Sequence, residues 1–262
     1  MSTEPTLWGL AAAGILVAVA VGISLWRRLG LERSMLWAAL RALVQLMLIG
    51  FALDLVIDPA RPILYSWIWV GVMLVFAGWT SHRRAPEVPG AFTLSLAAYA
   101  ASCFVSLGVL FGFSIFPVEG RTVVPLAGMV VGNSLASTVL VGRRIISELD
   151  EKRDEVEARL ALGMTSAEAG HPYLRAAVRT ALIPQIETTK AVGIVFLPGA
   201  MVGLILAGAD PLAAVRVQLA VMYLILGSVA TTTSVVALGL SRRMFTTDHR
   251  LVRLPSAKGG AG

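Results

Sequence analysis

Charged and amide side chains set inside long apolar runs are the first candidates for chemistry, and this sequence has several. Arg41 and Gln45, in "RALVQL", are four residues apart and so share a helix face. Glu187 and Lys190, in "IETTK", stand three apart and can meet along a helix. Asn133 and Gln218 lie deep in apolar segments, and Pro198-Gly199 interrupts another. An arginine at a bilayer centre costs roughly 2.5–3.5 kcal/mol, so such residues line cavities, pair, or reach back to the interface. Arg41 therefore either snorkels or pairs with Glu187. Glu187 and Lys190 form either an interfacial pair or a polar gate. Asn133 and Gln218 either hydrogen-bond across helix contacts or face a pathway, and the run Thr231–Ser234 reads the same way. Pro198 removes a backbone hydrogen bond and is expected to kink or break its helix. The small-residue steps Gly199/Gly203 and Gly128/Gly132 suit close helix packing.

Other chemistries have less to work with. The histidines His82, His171 and His249 fall in expected loops, and Asp54, Asp58, Glu119 and Asp210 are scattered. Transition-metal sites draw on clusters of His, carboxylate or Cys, so metal ligands stay unassigned. Met73, Met129, Met201 and Met222 read as packing residues. The single Cys103 allows no disulfide within the chain. No G-x-x-x-x-G-K-[ST] string occurs, so this chain has no phosphate-cradling loop to hydrolyse ATP by that route and reads as a non-enzyme.

The elements that must position these residues follow from composition. The 262 residues are 56% hydrophobic and 15% charged, with mean hydropathy +0.78. Soluble domains carry about 25% charged residues, so the chain reads as an all-α integral membrane protein. Seven spans are expected, at 7–26, 35–57, 63–80, 91–111, 123–142, 186–208 and 213–240. Arg27, Arg28, Arg33, Arg83, Arg84, Arg143, Arg144, Lys152, Arg153, Arg159, Arg175, Arg179, Arg242, Arg243, Arg250, Arg253 and Lys258 then fall on one side. Arg61, Arg121 and Arg216 fall on the other. The positive-inside rule puts the N-terminus outside and the C-terminus inside. It also accounts for the +6 net charge as loop retention, with no nucleic-acid partner. The chain reads as one transmembrane domain over 1–262, with a disordered tail at about 254–262.

The long polar stretch, about 143–184, is the exception to this apolar plan. Ile145, Leu149, Val156 and Leu160 recur at helical spacing, so the fifth helix is expected to continue out of the membrane. Gly163 suits a helix end. Thr165 stands three residues before Glu168, the spacing of a capping box. Gly170 is expected to interrupt the next helix and Pro172 to begin another. The result is a helical bracket between the fifth and sixth spans, on the cytoplasmic side.

Within it, "EARLALG" places Glu157, Ala158 and Gly163 at a spacing that resembles the EAA loop of ABC-transporter permeases, although the apolar-Pro terminus "ALIP" comes late. "RALVQL", "AGMVVGN", "RIISELDEKRDEVEARLALG" and "ALIPQIETTKAVGIVFLPGAMVGLILAGADPLAAVRVQ" together resemble FetB-type permeases, a family associated with bacterial iron export that includes plant aluminium-tolerance half-transporters. The resemblance covers nearly the whole chain. It implies a permease subunit in the bacterial inner membrane, dimeric and surrounded by lipid, that exports iron or another metal. A separate cytoplasmic ABC ATPase would bind ATP and Mg and dock on Glu157, Ala158, Gly163, Thr165 and Glu168. Arg41, Gln45, Asn133, Glu187, Lys190, Pro198, Gly199 and Gln218 would line the path or its gate. The alternative is a secondary transporter or channel working without an ATPase, and a third reading is a membrane sensor that uses the bracket only for docking.

Overall fold

The computed structural model describes residues 7–58, 62–246, 248 and 250–252. Arg61, His249, Arg253, Lys258 and the expected tail at 254–262 lie outside the described residues, as does the side chain of Asp54. Among the described residues there are nine α-helices and no strand, only two isolated bridges. The helices are α1 (Leu7–Arg27), α2 (Glu32–Ile57), α3 (Leu64–Arg84), α4 (Ala91–Gly112), α5 (Gly120–Glu151), α6 (Arg153–Ala161), α7 (Ser166–Ala191), α8 (Gly199–Leu206) and α9 (Pro211–Met244).

Five of these segments are long and apolar enough to cross a membrane: Glu32–Leu53 of α2, together with α3, α4, α5 and α9. In α1 the apolar stretch Ala12–Arg27 is shorter. The expected sixth span, 186–208, is not a single helix. α7 runs to Ala191, the backbone is non-helical from Val192 to Pro198, and α8 resumes at Gly199.

Local chemistry sets the helix ends. α5 begins with a capping box between Glu119 and Thr122. Asp210 Oδ2 accepts the Ala213 N–H at 3.0 Å, and Pro211 opens the first turn of α9. Gly90, at φ +65°, turns the chain into α4, and a Cβ there would run into the Arg243 guanidinium.

α4 and α5 pack along α9, α3 covers α4 and α5, and α7 lies against α5 and α9. Small residues let these helices approach closely: Ala98, Ala127, Ala177, Ala181, Ser134 and Ser228 are fully buried. One apolar cluster, with Ile145, Leu149, Val156, Leu240 and Phe245, sits at the end where the chain is most basic; a second, with Tyr99, Val123, Val130 and Val229, fills the other half. Among the described residues α1 touches only α2, and α2 otherwise reaches only α3 and α5, so this hairpin stands at the periphery. At the basic end Arg143 Nε donates to Glu87 at 2.7 Å, and Arg243 Nη1 donates to the carbonyls of Pro89 and Gly90, both at 2.9 Å.

One expectation is overturned here. α7 does not break at Gly170 or restart at Pro172, but continues through both and through Pro184. Gly170 is buried under the Phe245 ring, where a Cβ would meet ring carbons at 3.1 and 3.2 Å. Its missing side chain makes room for an aromatic ring from beyond α9. Pro172 forfeits one helical hydrogen bond, which the burial of Tyr173 and Ala177 beside it offsets. Of the small-residue steps, Gly128 packs against Met73, while Gly132, Gly199 and Gly203 face open space.

Candidate functional site

The bracket is built from two well-capped helices. Gly163, at φ +90°, ends α6: its N–H reaches Leu160 O at 3.0 Å, and the Met164 N–H reaches Arg159 O at 3.2 Å. That pair of bonds is a Schellman motif. Two residues on, Thr165 Oγ1 accepts the Glu168 N–H at 3.3 Å, and the Thr165 N–H donates to Glu168 Oε2 at 2.9 Å. The capping box expected from the spacing is therefore present, and it starts α7. These bonds to the Thr165 N–H and hydroxyl hold the Glu168 carboxyl below the usual glutamate range.

α6 is anchored through few contacts. Val156 is its one buried residue among those described and is completely enclosed. Lys152 Nζ donates to Glu155 Oε1 at 2.9 Å and Tyr173 Oη to Glu155 Oε2 at 3.0 Å. Lys152 first, and Tyr173 second, keep the Glu155 carboxyl below its ordinary range. Arg153 donates to Glu157 at 3.2 Å and to the Val252 carbonyl at 3.1 Å. That second bond ties α6 to the segment after α9, where Phe245 and Leu251 pair and both are buried.

The structure thus brings Glu157, Ala158, Gly163, Thr165 and Glu168 onto one exposed tip. Two residues belong with them that their spacing did not single out. Leu162 is 81% exposed, and Met164 beside it is also exposed. An apolar pair flanking a helix-ending glycine, inside an otherwise charged segment, is the signal that could have found them.

The second set of expected residues is not brought together. Arg41 and Gln45 are exposed on α2, which does not contact α7, so Arg41 does not pair with Glu187. Glu187 instead accepts from Lys190 at 2.9 Å, with both side chains exposed. Asn133 Nδ2 donates to the Met129 carbonyl of its own helix at 2.8 Å and is also exposed. Gln218 is buried on α9, and among the described residues its Oε1 has no hydrogen-bond partner.

Between α7 and α8 the backbone turns on Gly193, at φ +86°, with Gly193 N–H donating to Phe196 O at 3.0 Å. Ile194 is 91% exposed there. The break expected at Pro198-Gly199 exists and begins at Val192. The hydroxyls of the α9 threonines bond carbonyls of their own helix, such as Thr231 to Gly227 at 2.8 Å. Ser102 and Ser134 reach Ser228 at 3.1 and 3.4 Å, which stitches α4 and α5 to α9. These hydroxyls hold helices together.

Among the described residues no three His, Cys, Asp or Glu side chains are grouped to hold a metal ion. His82 and His171 are exposed and apart, and Cys103 is buried as a free thiol.

Comparisons with known proteins add identity to this geometry. The family described as "Uncharacterised protein family (UPF0014)" matches residues 7–245. The chain is 37% identical to "UPF0014 membrane protein STAR2" of Oryza sativa subsp. japonica, covering 83% of this chain and 76% of that protein. It is 32% identical to "Probable iron export permease protein FetB" of Escherichia coli (strain K12), covering 93% of each. It is 33% identical to "Protein ALUMINUM SENSITIVE 3" of Arabidopsis thaliana, over 86% of this chain and 82% of the relative. No solved structure matches it. With membrane-length apolar helices among its described residues and a family match over residues 7–245, the chain belongs to the UPF0014 family of membrane proteins.

Proposed function

We propose that this chain is the membrane permease subunit of an ABC transporter, exporting iron or another metal ion and driven by a separate ATPase. The observation that carries this reading is the bracket tip. A capped turn that holds Leu162 out of every apolar core, at the basic end of the bundle, makes sense as a surface another protein covers. Glu157, Ala158, Gly163, Thr165 and Glu168 surround that apolar knob. ATP and Mg belong to the docked subunit. The basic end faces the cytoplasm of a bacterial inner membrane, with the N-terminus outside.

Two copies of the permease pair around the path. The sixth crossing is made jointly by the end of α7, the unwound Val192–Pro198 and α8, which gives seven in all. Non-helical backbone at membrane depth is tolerated only against protein or water, so this segment, with Glu187, Lys190, Pro198 and Gly199, lines the path or its gate. Asn133 and Gln218 contribute from α5 and α9, which touch α7, while Arg41 and Gln45 on the peripheral α2 join the path where the two copies meet. The metal is cargo, handed along amide, hydroxyl and carboxylate oxygens without a fixed cage.

The test is co-expression with the host's ABC ATPase, followed by pull-down and by efflux of Fe²⁺ from proteoliposomes. Leu162→Asp and Glu157→Ala are expected to lose the ATPase and the ATP-dependent flux. Full retention of the ATPase by both variants would remove the basis of the reading. A second reading, a secondary transporter, is favoured by the broken α7–α8 element, since discontinuous helices hold coupling-ion sites in such proteins. Metal flux by the permease alone, without ATP, would select it.

A further inference from the structure

A groove of about 540 Å³ runs along the outside of the α4–α9 seam, and none of its lining residues belongs to the bracket or to the unwound segment. Val105, Val109, Leu219 and Tyr223 are among its walls, and Gly227 opens its floor. Arg216 stands at one end and Thr231 at the other. No carboxylate pairs with Arg216 among the described residues.

The depth of Arg216 follows from helix geometry. It lies 26 residues before Arg242 on α9, which at 1.5 Å per residue is about 39 Å. A bilayer with its headgroup layers is about 40–45 Å thick. If Arg242 marks the headgroup level at the basic end, Arg216 marks it at the opposite face. From Arg216 to Thr231 is 15 residues, about 22 Å. One leaflet measures about the same, since half the hydrocarbon is about 15 Å and the headgroup layer adds roughly 5–7 Å. The groove is one leaflet deep, apolar along its length and cationic at its mouth.

We propose that this groove is a binding site for one anionic phospholipid in the leaflet opposite the bracket. An acyl chain lies along Val105, Val109 and Leu219, and the phosphate takes the Arg216 guanidinium. A planar guanidinium offers forked donors that match phosphate oxygens. Among the described residues it has no counter-ion, so a lipid with net negative charge binds in preference to one whose phosphate is already neutralised by choline.

Native mass spectrometry of the full-length chain in detergent, with equimolar phosphatidylglycerol and phosphatidylcholine, tests this. One phosphatidylglycerol per chain is expected to be retained, about five-fold over phosphatidylcholine, the scale of one arginine near a headgroup. Arg216→Gln should level that preference and Arg216→Lys should keep most of it. Gly227→Leu grows into open groove space and should remove the adduct of either lipid while the far-UV melting curve stays unchanged. Should Gly227→Leu unfold the chain, Ala220→Leu fills the same groove one level higher. Equal retention of the two lipids by the unaltered chain, or an adduct that survives in a folded groove-filling variant, overturns the proposal. So does disulfide cross-linking of Val109→Cys chains in native membranes, which would mean that a second copy occupies the groove.

Discussion

Replacing Val156 with alanine should free α6 while leaving the membrane core intact. Val156 is fully enclosed, and α6 has no other buried residue among those described. The change deletes two methyl groups at about 0.8 kcal/mol each, and a residual cavity brings the cost to about 2 kcal/mol. Nine residues held mainly against α7 cannot spread that loss, so it falls on the equilibrium between docked and detached α6. A cost of that size raises the detached population about 30-fold. Hydrogen exchange followed by mass spectrometry, on protein in detergent, reads this directly. Amides from Arg153 to Gly163 should exchange about 30-fold faster, while those of α4 and the first half of α5 stay protected. Unchanged exchange in α6 would show that the bonds from Tyr173 to Glu155 and from Arg153 to the Val252 carbonyl anchor it instead. Faster exchange spread through α4, α5 and α9 would show that the bracket and the bundle unfold as one unit.

Three further outcomes are expected. Thr165→Ala removes the N-cap of α7 and should cost about 1 kcal/mol, seen as faster exchange confined to its first turn. Gly163→Ala forces a side chain into the left-handed region at φ +90° and should cost about 1–2 kcal/mol, read as a lower melting temperature of the bracket; Gly163→Asn should recover part of it. Acid should loosen the bracket first. The carboxyls of Glu155 and Glu168 are held below their ordinary range, so their stabilisation is present above that range and is lost as the pH falls through it, and exchange at 152–168 should rise once the pH drops below about 4.3, the free glutamate value, before the transmembrane helices respond.

Much of this architecture was legible from local chemistry. Gly163 and the Thr165–Glu168 spacing specify bonds between near neighbours, and both motifs formed as read. The continuation of α5 as far as Glu151 was visible in the stripe Ile145, Leu149, whose side chains are buried in the basic-end cluster. Gly170 was misread because glycine within a helix looks like a breaker unless the ring that fills its place is known, and Phe245 lies 75 residues away. The onset of unwinding at Val192 was missed for a related reason. Pro198 marks a break in sequence, but Gly193 and the β-branched residues beside it decide how far the break spreads. Arg41 and Glu187 looked like partners by depth alone, and depth does not tell which helices touch. The clasp of Phe245 and Leu251 under α6 and α7 carries no local signature.

α5 is 32 residues long without a break, about 48 Å from end to end. Its last turns carry Leu149 into the core beneath the bracket, and its first residue, Gly120, sits beside Ser66 and the backbone of Val56 at the far rim. Pro125, in the second turn, is the one weak point along this shaft. On the proposed reading, a tilt imposed at the bracket by the docked ATPase would be carried along this length by a single stiff lever. Its swing is largest, or is absorbed, at the proline hinge where α2, α3 and α5 converge.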